Sequence, residues 1–523
     1  MRPMRPTSIL FTAAIFFSTS AALAVDADPT SYTSILPTLK PGDTLNLAPG
    51  TYTSGLNITN LNGSEGSWIT IAGPASGPPA VFEGNACCNT VEITNSSYVV
   101  VRGITVDGKQ IPGVFGVSAK GGAGNVVHHI TIEGCSFIGQ GGSQQTVGIS
   151  TKTPTSGWII RQNVIDGAGT GIYLGNSSYA DPFVGGVIEN NLIKNTIGYN
   201  MQIKNQNLWP DHAALPAGDA KTIIRDNVFI KNDAPSPDGN RPNVFVGAFP
   251  DAGPGAGGMV EVYGNVFVHN APESLLQATG RVSIHDNIFV DAGDMAINLR
   301  AHDGFPLKLA HVYNNTIYSA KRGIVFGTDA TEASRVLGNL IFAGTPIEGN
   351  IEVMSDNIGE SVASAAMFVA SPSVSFGEMD FYPIAGKAEG AALDLAPFSA
   401  EADYACDFNG MSKGDTSFRG AYAGSGMNPG WKIAPGIKPI GQACGAGGAG
   451  GAGGSSGTGG AGGAGGAGGE GTGGNDSADG GDEGGCGCRI AGQGGSGWGA
   501  AILGAFAAGF ALRRGRRGIS SLN

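Results

Sequence analysis

Three neighbouring stretches decide the fold: YGNVFVHNAPESLLQA (263–278), HDNIFVDAGDMAINLR (285–300) and YNNTIYSAKRGIVFG (313–327). Each reaches an asparagine, runs into an apolar pair, turns a small polar corner and enters a second short apolar strand. The pattern recurs in RQNVIDGAGTGIYLG (161–175), ENNLIKNTIGYNMQIK (189–204) and LGNLIFAG (337–344). It marks Asn163, Asn191, Asn227, Asn265, Asn287, Asn315 and Asn339, spaced by 28, 36, 38, 22, 28 and 24 residues. The short gaps give the period; the long ones carry loop insertions.

A period of this length, built from β-branched strands and glycines without a helical stripe, predicts a solenoid. Leucine-rich repeats need an LxxLxL framework, which is absent. A β-sandwich would show Asn-Gly hairpin turns between strands, and these are scarce. Parallel coils give the asparagines a role. At one corner of every turn Asn tolerates a left-handed backbone and can bond the Asn above and below, so a structural ladder is expected.

The two ends of this region carry a family likeness. LKPGDTLNLAPGTY (39–52), WITIAG (68–73) and VVVRGITVDG (99–108) resemble the opening coils of right-handed parallel β-helix proteins of the pectate-lyase-like superfamily. DFNGMSKGDTSFRGAYAG (407–424) resembles their closing segment, with Asn409 in place of its second acid. The resemblance covers about residues 30–440 and implies an all-β, right-handed parallel β-helix. That fold carries lyases, hydrolases, epimerases and adhesins, so it leaves the chemistry open.

Side chains alternate along a strand, and setting the second strands in register sorts them into rows. Met201, Val244, Leu276, Ile297 and Ile324 face inward, as do Ile203, Val246, Ala278, Leu299 and Phe326. One outward row is then Gln202, Phe245, Gln277, Asn298 and Val325; the next is Lys204, Gly247, Thr279, Arg300 and Gly327. Lys204 and Arg300 stand three coils apart, roughly 14 Å at 4.7–4.9 Å per coil. Amides can bond sugar hydroxyls, Phe245 or Trp209 can stack on a sugar face, and the cations can hold carboxylates or sulfates. Long connections leave the same strands and are expected to bring Trp209, Asp211, His212, His302 and Asp303 to the groove wall. Glu273 and Asp294 fall on adjacent coils and are the candidate ligands for calcium, the one cofactor considered.

Acidic polysaccharide is therefore the expected partner. β-Elimination on a uronate polymer requires a cation or metal to neutralise the carboxylate and a base to take the C5 proton. By analogy with β-helix lyases of the superfamily, Lys204 is the candidate base and Arg300 the carboxylate clamp, with His212 or His302 as alternative bases. Gln202-Ile203-Lys204 resembles the Arg-Ile-Lys motif of polygalacturonases, but their Asp-Asp and Gly-His-Gly elements are missing, which argues against paired-carboxylate hydrolysis. Gln202 also stands where chondroitinase-B-like lyases place an acid. Three readings stay open: a polysaccharide lyase, a non-catalytic adhesin or carbohydrate-binding protein, and a structural surface fibre.

Composition and termini add location. Of 523 residues, 1–24 combine Arg2 and Arg5, the apolar run ILFTAAIFF and Ala22-Leu23-Ala24, which describes a secretory signal peptide. Residues 25–440 are the expected β-helix domain and 441–485 a Gly-rich linker. Residues 486–523 carry Cys486-Gly487-Cys488, the run WGAAILGAFAAGFAL (498–512) and RRGRR. This last segment resembles the MYXO-CTERM type of sorting tail, which implies a modified Cys486 or Cys488, a bacterial surface or outer-membrane location, and membrane contact through the tail alone. A monomer is expected. The net charge of −12 argues against nucleic acid. In an oxidising compartment Cys406 could pair with Cys444, and Cys87 or Cys88 with Cys135.

Overall fold

The computed structural model describes residues 22–122 and 124–440. From Ala24–Ala27 to Ile358–Glu360 the chain winds in coils of up to three short strands, each pairing in parallel with its counterparts one coil before and after. This is a parallel β-helix. Its three faces are called A, B and C in the order the chain meets them. Face A is a sheet of 15 strands; B and C join in a sheet of 21, because Thr316–Phe326 and Leu340–Glu348 turn the corner between them unbroken. Among the described strands the one antiparallel pair is Val369–Ser371 with Asp380–Pro383.

The asparagine ladder stands at the A–B corner. Asn163 Nδ2 donates to Asn191 Oδ1 at 2.9 Å. The same bond repeats at 2.8–3.0 Å through Asn227, Asn265, Asn287, Asn315 and Asn339, ending on Asn357. Cys135 occupies the rung before Asn163 and gives it only a backbone N–H, at 3.0 Å. The left-handed residue differs from expectation: it is the one before each rung, as at Asn190, Asp226, Asp286 and Asn314, with φ of 50°, 56°, 52° and 49°. The predecessor makes the turn, and the ladder asparagine is left to aim its amide inward.

What lies outside each face follows from residues 361–440. Strands of face B such as Val228–Ile230, Val266–Asn270 and Ile288–Ala292 are apolar on both sides. Phe229, Phe267 and Phe289 stack inside with centroids 5.1 and 4.6 Å apart. Outside, Val228, Val266 and Ile288 pack against Phe381, Tyr382, Phe408 and Tyr422 of the C-terminal segment. A strand buried on both faces reads as a continuous apolar run, which is what VFI and IFV are. The segment is pinned by cations that reach the left-handed corner acids: Lys438 to Asp226 at 2.6 Å, Lys413 to Asp286 at 2.8 Å and Arg419 to Asp356 at 2.8 Å.

Face A shows both regimes in one outward row. Arg102, Glu133, Arg161, Glu189 and Arg225 alternate in sign on consecutive coils, with Arg161–Glu133 at 2.6 Å and Arg225–Glu189 at 2.7 Å. Where the C-terminal segment covers the row, it turns aromatic. Tyr263, His285 and Tyr313 stack at 4.8 and 4.7 Å, and Phe398 closes the stack at 4.0 Å. On face C the outward row from Glu92 to Val325 is polar except at Tyr173, Phe245 and Val325.

Cys87 pairs with its neighbour Cys88, and Cys135 is free and buried, which corrects the expected link between them. The ladder position explains it: Cys135 points into the corner, and burial pushes its thiol up to about 12. Cys406 is disulfide-bonded; Cys444, its expected partner, lies outside the described residues. So do Cys486, Cys488, the linker, the sorting tail and all but the last three residues of the signal segment. No helix among the described residues is long and apolar enough to cross a membrane.

Candidate functional site

The expected rows of face C are present. Met201, Val244, Leu276, Ile297 and Ile324 are in register, with Gln202, Phe245, Gln277, Asn298 and Val325 beside them. Lys204, Gly247, Thr279, Arg300 and Gly327 continue the ladder, each N–H bonding the preceding coil at 2.8–3.1 Å. The register also extends toward the N-terminus. It sets Glu92, Ser118, Ser150 and Tyr173 before Gln202, and Lys120, Lys152 and Gly175 before Lys204.

That extension holds the strongest cluster on the face. Lys152 Nζ lies 4.4 Å from the Tyr173 ring centre, and Lys204 Nζ lies 5.8 Å from the same ring. Phe115 lies 5.7 Å from Lys152, and Tyr179 lies 5.7 Å from Lys204. Two cations from coils on either side, roughly 10 Å apart along the axis, thus flank one aromatic ring. Lys120 follows one coil earlier, paired with Glu92 at 2.8 Å. Ser118 and Ser150 lie buried beneath the cluster, 1% and 0% exposed, and their hydroxyls find no hydrogen-bond partner. Sequence reasoning missed Lys152 and Tyr173 because it started the rows at residue 201; counting the period back one and two coils finds them.

Outward did not mean open. Lys204 is 6% exposed, Gln202 5%, Phe245 2%, Gln277 8% and Asn298 3%, whereas Tyr173 and Lys152 are half-buried and Asn57 is exposed. Over Phe245 and Asn205 the cover is the connection after Arg300. His302 and Phe305 exchange backbone hydrogen bonds at 3.0 Å as a tight hairpin that leans back over the row. His302 packs on Phe245 with centroids 4.6 Å apart, and its carbonyl accepts from Asn205 Nδ2 at 3.4 Å. Tyr179 Oη donates to Asp303 Oδ2 at 2.6 Å, and Thr279 Oγ1 bonds the carbonyls of Phe305 and Pro306 at 3.2 Å. Arg300 is exposed, and its Nε turns to the carbonyl of Ala301 at 3.4 Å. Lys204 and Arg300 therefore share a row but not a cavity.

The other expected residues divide. His302 and Asp303 do reach the groove wall. Trp209 is locked inside the 205–220 loop, its Nε1 bonding Gln206 Oε1 at 2.7 Å and its ring so close to Gly255 that a Cβ there would lie 2.4 Å away. Asp211 and His212 are exposed. His212 stands near His128, whose imidazole is lowered to about 4 by burial and by the charges of His129 and His212. Glu273 and Asp294 do sit on equivalent positions of adjacent coils, but they do not fit a calcium site. Arg322 holds Asp294 with two 2.7 Å bonds from Nη2, and Glu273 bonds its own neighbour Ser274 at 3.0 Å. Among the described residues no three His, Cys, Asp or Glu side chains converge as a metal set.

The chain matches no family model and no curated protein sequence. Among solved structures it is similar to the PL6-family alginate lyase AlyGC, at 16% identity and a TM-score of 0.42, over 70% of this chain and 56% of that one. It is also similar to the A-module of the Azotobacter vinelandii mannuronan C-5 epimerase AlgE6, at 18% and 0.41, over 61% and 91%. Pectate lyase Pel9A follows at 15% and 0.40, over 68% and 84%. The chain spans little more than half of the alginate lyase. Likenesses this distant carry no argument, and the β-helix stands on its own strand pairings.

Proposed function

We propose that face C handles an acidic polysaccharide, and that the protein is a polysaccharide lyase exported to the bacterial surface. The observation that carries this reading is the Lys152–Tyr173–Lys204 cluster on face C. Two ammonium groups and an aromatic ring within one trough suit a sugar that bears a carboxylate. β-Elimination needs that carboxylate neutralised before the C5 proton can leave. Lys152 is the better partner than Arg300, because it shares a ring with Lys204 whereas the hairpin separates Arg300 from both. Lys204, buried beside Tyr173 and Tyr179, is the candidate base. No step is assigned to calcium.

The test is incubation of the protein with a panel of acidic polysaccharides, reading new ultraviolet absorbance from unsaturated uronate ends. Activity should fall by about 10²–10⁴ in Lys204→Ala, the range for loss of a general base. No product from any uronate polymer, beside an active control lyase, refutes catalysis. The second reading, a surface adhesin or carbohydrate-binding protein, is favoured by the same cluster if glycan is retained without turnover.

A further inference from the structure

We infer that the His302–Phe305 hairpin is an end-stop, so that the face C trough takes the end of a polysaccharide chain rather than its middle. The inference rests on the proposed sugar-binding role and specifies its mode. Along the trough Asn57 is exposed and Glu92, Lys120, Lys152 and Tyr173 are half-buried, with Ser118 and Ser150 sunk between them; the lining is then buried from Gln202 and Lys204 to Gln277 and Thr279. At that point the hairpin has crossed back from the coil of Arg300 to touch Asn205 and Tyr179. A polymer lying along the axis meets His302 seated on Phe245 and cannot continue toward Gln277 and Asn298.

The hairpin is built as a wall and not as a lid. Its two-residue turn places Asp303 at φ 51° and Gly304 at φ 82°, the left-handed pair whose twist fits tight hairpins. There is no slack on either side. Arg300 N bonds Ala278 O at 3.1 Å and Ala301 N bonds Thr328 Oγ1 at 2.7 Å before the turn; Pro306 O accepts from Gly280 N at 3.0 Å after it. The tip is tied to a loop 124 residues away through Tyr179–Asp303, and Tyr179 also meets Phe305 edge-on at 5.3 Å. A moving lid would have long, loosely bonded flanks, whereas this turn is bonded at both ends and at the tip.

The experiment measures binding of the full chain to uronate oligomers and polymers whose mean lengths differ several-fold, by calorimetry with the catalytically silent Lys204→Ala variant alongside the wild type. An end-stop predicts one protein bound per chain whatever the length. It also predicts that Lys152→Ala, in the more open part of the trough, weakens binding about tenfold to a hundredfold, the worth of one hydrogen bond to a charged group, while Gln277→Ala and Asn298→Ala leave it unchanged. Stoichiometry that rises in proportion to chain length, or loss of affinity in Gln277→Ala, overturns the end-stop and leaves the sugar-binding reading standing. No binding of any uronate by wild type overturns both.

Discussion

Replacing Asn265 by alanine tests the ladder at its centre. The side chain is fully buried and makes five hydrogen bonds. Its Nδ2 donates to the carbonyls of Ile224 and Tyr263 at 2.8 and 2.9 Å and to Asn287 Oδ1 at 3.0 Å. Its Oδ1 accepts from the N–H and Nδ2 of Asn227 at 2.9 and 3.0 Å. Asn265→Ala leaves the Asn227 N–H orphaned where water cannot enter, at about 1–3 kcal/mol, and removes the net gain of the other bonds at about 0.5–1.5 kcal/mol each. Because the carbonyls retain other partners, the sum expected is about 3–5 kcal/mol. Asn357 ends the ladder and is half-buried, so water can replace what Asn357→Ala removes, and about 1 kcal/mol is expected there. Guanidinium denaturation of both variants gives the comparison, and hydrogen exchange at the Asn227 amide gives the local opening. Equal losses in the two variants, or an Asn227 amide as protected as in wild type, would refute the reasoning.

Further outcomes follow from particular side chains. Cys135→Asn should stabilise the fold by about 1 kcal/mol, since the acceptors a rung amide uses (Asn163 Oδ1, Val101 O and Glu133 O) already surround Cys135; a lower denaturation midpoint counts against this. Lys413→Met strands Asp286, 2% exposed, without its cation, and should cost about 3–5 kcal/mol and free the C-terminal segment to proteases, which limited digestion reads. His128, lowered from 6.5 to about 4, binds its proton more readily when unfolded. Stability should therefore fall as pH drops from 6.5 toward 4, by about 1–2 kcal/mol after allowing for its partial exposure, and level off below. In His128→Gln that slope should flatten, as thermal melts across the same range will show.

Much of the architecture could be read directly from residues, for a physical reason. Strand alternation and the corner asparagines repeat with every coil, so one correct register propagates, and Met201, Val244, Leu276, Ile297 and Ile324 align as counted. Cover does not repeat. The hairpin over Phe245 is held by contacts between loops far apart in sequence, such as Tyr179 with Asp303 across 124 residues, and no periodicity encodes them. The three-residue apolar runs VFI and IFV did signal that face B is covered from outside, a sign that the corner pattern alone left unused. Arg300 stands exposed in the expected row, and what the row could not reveal is the hairpin between it and Lys204.

The alternating arginines and glutamates of face A bear on how such a molecule can lengthen or shorten over evolutionary time. Duplicating one turn between Arg102 and Arg225 would bring two like charges side by side, whereas duplicating two would preserve every opposite pairing. In that part of the cylinder growth should come in even steps, while beyond Tyr263, where rings replace charges, single turns can be gained or lost without an electrostatic penalty.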